Sequence, residues 1–167
     1  MANITFQDQV VFHARAEKIF AEEYALLKPL MPWADIQHIG STSIPGATTK
    51  GDIDIVVRVL KEDFLKTRDI LKGIYETHQL DNWSETFASF KDDNRALPLG
   101  IQLTIMDCED DVFVTFRDIL RSSPEMLSEY NALKISCQNQ DTEIYIAKKA
   151  EFFEQLIQSK KLTSSSS

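Results

Sequence analysis

The feature that most constrains this chain is the run HIGSTSIPGATTKGDIDIVVRV, which begins at His38. A Gly-Ser turn ends one predicted strand, a ten-residue spacer follows, and a second strand opens with two aspartates around one isoleucine. Side chains alternate between the two faces of a strand. We therefore expect Asp52 and Asp54 on one face, and Ile53 and Ile55 in a core.

The two aspartates predict a metal site. Two carboxylates side by side repel each other unless a cation lies between them. Their hard oxygen ligands favour Mg²⁺ or Mn²⁺, ions that keep positions for water and substrate phosphates. The turn at Gly40 and Ser41 would allow close backbone approach to a phosphate and add a hydroxyl. In the alternative interpretation Asp52 caps a turn, Asp54 faces water, and the Gly-Ser pair makes only a tight turn.

The order of an apolar residue, Gly-Ser, a spacer and Asp-apolar-Asp-apolar resembles the signature of the nucleotidyltransferase superfamily that includes DNA polymerase beta. Within that superfamily, HIGSTSIPG at residues 38–46 resembles the HIGSTA-V-PG block of the GrpB family, also called UPF0157. A second block, FRDILR at residues 116–121, and several later residues extend the resemblance over nearly the whole chain. The later residues are Pro124, Glu125, Glu129, Tyr130, Leu133, Lys134, Tyr145 and Lys148.

The resemblance implies a metal-dependent nucleotidyltransferase that acts on a small-molecule or protein acceptor, with a small nucleotide (NTP) as partner. Two Mg²⁺ or Mn²⁺ ions held by Asp52, Asp54 and a third acid would bind the triphosphate and lower the pKa of an acceptor hydroxyl, and pyrophosphate would leave. Asp52 and Asp54 are thus the catalytic and metal-binding candidates. The substrate-binding candidates are Gly40, Ser41, Thr42, His38, Lys50, Arg117 and Arg121.

The basic candidate residues can also be interpreted as structural residues without a role in substrate binding. Lys50 could neutralise the acid pair, meet a phosphate or be an exposed loop lysine. Arg117 and Arg121 are four residues apart and share a helix face, so they could clamp a triphosphate. They could instead pair with Asp118, Glu125 or Glu129.

Other side chains are expected to be structural. His38 is either a hydrogen-bonded strand residue or a substrate contact. Lys148 and Lys149 are expected on the solvated surface. Several phenylalanines are expected in the hydrophobic core, among them Phe113, Phe116 and Phe153.

This chain departs from the pattern of active nucleotidyltransferases at the position of the third metal-binding acid. The strand near residues 98–106 presents Gln102 and Thr104 on its open face, and neither is an acid, whereas GrpB-like sequences tend to carry histidines there. Relatives also commonly show a single Asp after a proline and an apolar residue, where this chain has Gly51 and Asp52. The acids considered as substitutes are Asp107, Glu109 and Glu85.

An incomplete acid set leaves two further functions open. One is a non-catalytic module that binds a nucleotide or a CoA-type metabolite, because some GrpB-like domains are fused to dephospho-CoA kinase. The other is a protein-interaction domain with a vestigial site. The sequence does not name the acceptor, the nucleotide or the oligomeric state.

Charge and composition limit the partners and the location. The formal net charge of −8 argues against a long nucleic acid as substrate, because proteins that bind polyanions carry basic surfaces. We expect no membrane segment and no secretion signal. The two cysteines fit reduced thiols in the cytoplasm. We predict one domain at residues 1–162 and a disordered serine-rich tail at residues 163–167.

Hydrophobic periodicity and turn residues predict an α+β fold, a mixed β-sheet with flanking helices and a helical C-terminal third, and the resemblance implies that this sheet is nucleotidyltransferase-like. The final helix is expected to begin after Asp141 and to reach about residue 158. Helices are also predicted at residues 8–28, 61–72, 110–121 and 124–138. Strands are predicted at residues 34–39, 52–59, 74–79, 84–91 and 98–106.

Overall fold

The computed structural model describes residues 4–165, with side chains described as far as residue 160. The final helix includes Ser165. The predicted tail at residues 163–167 therefore lies partly in this helix and partly outside the described residues. Both the tail and the domain boundary stay predictions.

The described residues form strands and helices in the predicted order, with differences at their ends. The elements are β1 (Gln7–Asp8), α1 (His13–Leu30), β2 (Asp35–Ile39), β3 (Thr48–Thr49), β4 (Ile53–Val59), α2 (Phe64–Lys72), β5 (Glu76–His78), β6 (Phe87–Asp92), β7 (Leu99–Ile105), α3 (Phe113–Ser122), α4 (Pro124–Ser136) and α5 (Thr142–Ser165).

The main sheet is mixed and has the strand order β2-β4-β7-β6-β5. Strands β4 and β7 are parallel, and every other neighbouring pair in this sheet is antiparallel. Strand β4 is rich in β-branched residues, which suit a pleated and buried position. The sheet, its flanking helices and the helical last third confirm the predicted α+β class.

The two faces of β4 have different roles. Ile53, Ile55 and Val57 are fully buried and pack in the main core, together with apolar residues of α1 and α2. Asp54 alternates with them and faces the other side of the sheet, where α3, α4 and α5 enclose a cavity. This alternation is what delivers a carboxylate to the cavity.

Two details differ from the predicted elements. Helix α1 continues through Pro29 to Leu30, and the Met31 N–H still bonds to the Leu27 carbonyl at 3.0 Å. Within the predicted loop, residues 48 and 49 pair with residues 8 and 7 as the two-stranded β1–β3 sheet. This pairing joins distant parts of the chain, so local turn chemistry does not reveal it.

Candidate active site

The carboxylate of Asp54 lies between two glycines. Gly40 has a φ of +75°, and a Cβ built there would lie 2.5 Å from Asp54 Oδ2. Gly100 is the β7 partner of Asp54 in the parallel register, and a Cβ there would lie 2.9 Å from Asp54 Oδ1. Both positions therefore need glycine for the carboxylate to fit.

Burial and nearby charges act in opposite directions on the pKa of Asp54. Burial raises the pKa of Asp54, and the negative charge of Asp52 acts in the same direction. The positive charges of Lys149, Lys50 and Lys134 oppose this rise. Three lysines from three different segments thus support the charged form of one carboxylate.

Asp52 is half-buried at the start of β4 and has a basic partner. Its Oδ2 is 3.1 Å from Lys50 Nζ, so Lys50 neutralises one of the two acids. Its backbone carbonyl accepts a hydrogen bond from Thr42 Oγ1 at 3.0 Å. Asp52 and Asp54 are half-buried while Ile53 and Ile55 are fully buried, as strand alternation predicts.

A cavity of about 190 Å³ opens beside Asp54. Four of the sequence-predicted site residues line it: Gly40, Ser41, Asp54 and Arg117. The Ser41 hydroxyl donates a hydrogen bond to Thr49 Oγ1 at 2.7 Å. The other lining residues are Ile39, Ile44, Gln102, Phe113, Phe116, Leu120, Tyr130, Lys149 and Phe153.

His38 and Thr42 lie away from this cavity and support the turn instead. His38 pairs with Ile55 in the sheet and stacks on Phe20 of α1, with the ring centroids 5.5 Å apart. The Thr42 hydroxyl donates to the Asp52 carbonyl, so it accepts from His38 Nε2 at 3.0 Å. Burial lowers the pKa of His38 to about 4, which keeps the imidazole neutral at pH 7.

Arg117 and Arg121 tie α3 to the Gly-Ser segment. Arg117 Nη1 donates to the His38 carbonyl at 3.0 Å, and the same guanidinium pairs with Asp118 at 2.9 Å. Arg121 donates twice to the Ser43 carbonyl, at 3.0 and 2.7 Å. Arg117 lines the cavity and Arg121 does not. Both guanidinium groups therefore bind backbone carbonyls, and of the two only Arg117 also lines the cavity.

Gln102, and not an acid, lies beside Asp54 on β7. A Cβ at Gly100 would lie 3.7 Å from Gln102 Nε2, and Gln102 lines the cavity. Thr104 is fully buried two residues further along the strand, where its hydroxyl is 3.5 Å from Cys108 Sγ.

The substitute acids are at the far end of the sheet. Strand β7 continues five residues from the Asp54 level to Ile105, which is about 17 Å at about 3.3 Å per residue. Asp107 and Glu109 follow that end, and Glu85 precedes β6, whose Phe87 pairs with Thr104. None of these three acids is placed to join Asp54.

Helix α5 contributes a cavity residue that the sequence analysis missed. Lys149 was expected on the surface, but it lines the cavity, while its neighbour Lys148 is exposed. Phe113, Phe116 and Phe153, expected in the core, form part of the cavity wall. No local signal separates Lys149 from Lys148, because the side that α5 turns inward depends on tertiary packing.

Helix α4 fixes the spacer between the Gly-Ser turn and the acid pair. Asn131 Oδ1 accepts from the Thr48 N–H at 2.8 Å, and its Nδ2 donates to the Gly46 carbonyl at 3.0 Å. The buried Lys134 Nζ donates to the Thr48 carbonyl and lies 4.0 Å from the centre of the Tyr130 ring, and burial lowers the pKa of this lysine well below its ordinary value. Tyr130 and Lys134 are four residues apart and so share a face of α4, but this spacing does not reveal what that face contacts.

The hard oxygen donors near the cavity come from three side chains, of which Asp54 and Gln102 line the cavity and Asp52 does not. Asp52 and Asp54 offer carboxylate oxygens, and Gln102 could add an amide oxygen, all hard ligands. Among the described residues, no group of three or more His, Cys, Asp or Glu side chains is arranged to hold a metal. The described helices also include none that is long and apolar enough to cross a membrane.

Sequence comparisons match one protein family over most of this chain. The model of a family described as GrpB protein matches residues 10–159. A UPF0157 protein of Vibrio cholerae is 31% identical over 155 residues, covering 93% of this chain and 82% of the relative. The glutamate-rich protein GrpB of Alkalihalophilus pseudofirmus is 30% identical over 154 residues, covering 84% of this chain and 88% of the relative.

Solved structures show the same fold. A crystal structure of the conserved protein GrpB from Enterococcus faecalis superimposes with a TM-score of 0.63 at 18% identity, over 91% of this chain and 99% of that one. Cid1 in complex with the UTP analogue UMPNPP gives a TM-score of 0.51 at 14% identity, over 78% of this chain. This chain spans only 40% of Cid1, so the likeness to Cid1 concerns one part of that enzyme.

Proposed function

Because this chain belongs to the GrpB family and has a nucleotidyltransferase-like fold, we propose that it is a metal-dependent nucleotidyltransferase. It would transfer an NMP group from an NTP to a small-molecule or protein acceptor and release pyrophosphate. One observation carries the proposal: the Asp54 carboxylate lies directly against the Gly40 turn, with Asp52 two residues before it. A nucleotide partner is consistent with the UTP analogue bound to the similarly folded Cid1.

Asp52 and Asp54 are the proposed ligands of Mg²⁺ or Mn²⁺. The chemistry supplied by such an ion is neutralisation of triphosphate charge and a lower pKa of the acceptor hydroxyl. Lys50 already pairs with Asp52 at 3.1 Å, so an incoming cation has to compete with this ammonium. Because Lys50 is 44% exposed, its side chain has room to turn toward a phosphate instead.

The other proposed contacts follow from what each residue already does. Ser41 lines the cavity, and its hydroxyl proton is directed at Thr49, so its lone pairs remain as acceptors. Arg117 keeps the turn in place through the His38 carbonyl. Thr42, His38 and Arg121 support the same turn from outside the cavity, and we propose them as positioning residues.

A pyrophosphate-release assay with each NTP and a panel of acceptors tests the proposal. We expect release that needs Mg²⁺ or Mn²⁺ and is lost in Asp54→Asn. Asp107→Asn is the matched control, because Asp107 is an exposed acid at the opposite end of the sheet. Turnover without a divalent ion, or full activity of Asp54→Asn, would contradict the proposal.

A second candidate function is supported by Gln102. An amide at the position beside Asp54 leaves the site with two carboxylates, which suits binding of a metal-nucleotide or a CoA-type metabolite without turnover. Stoichiometric, metal-dependent binding with no pyrophosphate release would favour this function over catalysis. Isothermal titration with NTPs, CoA and dephospho-CoA distinguishes the two.

A further inference from the structure

Strand β2 stands at one end of the sheet formed by the described strands, so only one of its edges is paired. The direction of its backbone groups follows from β4. The Ile53 N–H donates to the Pro98 carbonyl, on the β7 side, at 2.9 Å. Backbone groups of successive strand residues point to opposite edges, so those of Asp54 face β2 and bond with its partner Ile39. The odd-numbered residues of β2 therefore make the hydrogen bonds to β4.

The even-numbered residues of β2, Ile36 and His38, direct their backbone groups to the unpaired edge. The His38 carbonyl agrees with this orientation, because it accepts from Arg117 Nη1 of α3 at 3.0 Å. The His38 N–H and both backbone groups of Ile36 have no hydrogen-bond partner among the described residues. Unpaired backbone groups at the edge of a sheet are a template for pairing with another chain.

A groove of about 330 Å³ runs along this edge, between α1 and α3. Residues 36–38 of β2 form its floor. Phe20 and Tyr24 of α1 form one wall, with their ring centroids 5.9 Å apart and Tyr24 40% exposed. Arg117 and Arg121 of α3 form the other wall. An extended segment that pairs with β2 would thus lie between an aromatic wall and a basic wall.

Arg121 supplies this groove with a positive charge that has no close acidic partner. Its Nε and Nη2 donate to the Ser43 carbonyl, which leaves Nη1 available to a ligand. Among the described carboxylates, none forms an ion pair with Arg121, and Glu17, the acid that lines the groove, lies 3.5 Å from His38 Nδ1. Burial lowers the pKa of Arg121, and the positive charge of Arg117 acts in the same direction. A carboxylate ligand would offset both effects.

A strand added to β2 would present alternate side chains to the two walls. Paired residues share a face of the sheet, so a residue opposite Ile36 or His38 faces α1, where His38 stacks on Phe20. A residue opposite Gln37 faces the α3 side, toward Arg121. We propose that β2 binds an extended peptide segment of another protein with an apolar-acidic-apolar sequence, whose acidic side chain pairs with Arg121. This surface goes beyond the proposed function, because it needs neither metal nor nucleotide.

Three peptides test the inference: Ac-Thr-Val-Glu-Val-Thr-NH2, its analogue with Gln in place of Glu, and the Glu peptide with an N-methylated backbone. Each is titrated into the wild-type protein without metal or nucleotide, with backbone amide shifts as the readout. We expect the Glu peptide to bind about tenfold more tightly than the Gln peptide, because hydrogen bonds to charged groups are stronger. The N-methylated peptide should not bind, because it cannot donate to the edge of β2.

The positions of the shifts identify the surface. The amides of Ile36 and His38 should shift most, whereas that of Gln37 is already bonded to β4 and should shift little. Residues 76–78 of β5, at the opposite edge of the sheet, should not respond. Absence of binding, equal affinity for the Glu and Gln peptides, binding of the N-methylated peptide, or shifts at β5 instead of β2 would each overturn the inference.

Two arginines provide a matched pair of variants. Arg121→Gln should bring the affinity ratio of the Glu and Gln peptides close to one, while weak pairing still shifts the amide of His38. Arg15→Gln removes an exposed arginine of α1 outside the groove and should keep the wild-type ratio. A wild-type ratio in a folded Arg121→Gln protein would overturn the assignment of the acidic side chain to Arg121. If that variant fails to fold, the three peptides on the wild-type protein still decide.

A second copy of this chain is the other possible occupant of the edge. Shifts of the Ile36 and His38 amides that grow with protein concentration in the absence of peptide, together with a dimer in sedimentation, would overturn the peptide assignment. The two proposals can fail separately. Peptide binding without pyrophosphate release would leave only the edge surface, and pyrophosphate release without peptide binding would leave only the transferase proposal.

Discussion

The carboxylate of Asp54 fills the space in which a side chain at Gly40 would begin. A Cβ at Gly40 would lie 2.5 Å from Asp54 Oδ2, closer than real Cβ atoms approach another heavy atom. The Gly-Ser turn and the acid strand are therefore packed in direct contact, which leaves no room for a side chain at position 40.

Gly40→Ala should separate this contact from ordinary backbone strain. Its matched control is Gly46→Ala, because Gly46 also has a positive φ but a Cβ there would lie 3.4 Å from Leu127 Cδ2. Each change should cost about 1–3 kcal/mol of unfolding free energy through the left-handed backbone. Only Gly40→Ala should also abolish metal-dependent nucleotide binding, measured by isothermal titration. Equal nucleotide binding by the two variants would mean that the contact between Gly40 and Asp54 is not needed for binding.

Gln102→Glu would add a third carboxylate beside Asp54. We expect Mg²⁺ or Mn²⁺ affinity to rise by about an order of magnitude, because affinity for hard cations grows with the number of charged ligands. Without metal, repulsion between the acids should lower the unfolding free energy by about 1–2 kcal/mol.

Gln155→Glu is the control for that change, since it adds the same charge at an exposed position on α5. Metal titrations and urea unfolding of both variants provide the comparison. If the two variants bind metal equally, Gln102 does not contribute to the proposed metal site.

Asn131→Ala should loosen the spacer that leads into Asp52. The change removes the hydrogen bonds from Asn131 to the Thr48 N–H and the Gly46 carbonyl. We expect a loss of about 1 kcal/mol in unfolding free energy and weaker nucleotide binding, because the segment is no longer held in place. Asn94→Ala, at an exposed turn between β6 and β7, should change neither quantity. Wild-type nucleotide affinity in Asn131→Ala would contradict the positioning role.

His38 should make the fold sensitive to mild acid. Burial lowers its pKa from 6.5 to about 4, so the unfolded chain binds more protons than the folded chain between these pH values. The unfolding free energy should therefore fall as the pH drops from about 6.5 to about 4, by up to about 3 kcal/mol. Glu17, whose carboxylate lies 3.5 Å from His38 Nδ1, favours the protonated imidazole and so opposes the burial that lowers the pKa of His38.

Urea unfolding at a series of pH values measures this loss. His38→Gln should show a shallower pH dependence than wild type, whereas His78→Gln, a half-buried histidine on β5, should keep the wild-type slope. Identical slopes for wild type and His38→Gln would mean that His38 does not titrate as its burial requires.

Much of the fold follows from local pattern. The apolar alternation of β4 predicts which side of the strand Asp54 occupies. The helix predicted from residue 124 does begin at Pro124, and there Ser123 Oγ accepts a hydrogen bond from the Met126 N–H at 3.3 Å. The resemblance of residues 38–46 to the GrpB block predicted the family that the comparisons confirm. The roles proposed for the individual site residues stay predictions.

The sequence by itself determined most of the elements and the α+β class, and its family resemblance predicted that the Gly-Ser turn lies beside the strand that carries Asp54. These depend on interactions between residues that are near one another in the chain, which periodicity and turn chemistry record. Only the tertiary structure decided that Gly100 and Gln102 lie beside Asp54, that Lys149 and not Lys148 lines the cavity, and that His38 lies outside it. Those facts depend on strand register and on the packing of α3, α4 and α5 against the sheet, and such long-range contacts leave no periodic signal in the chain.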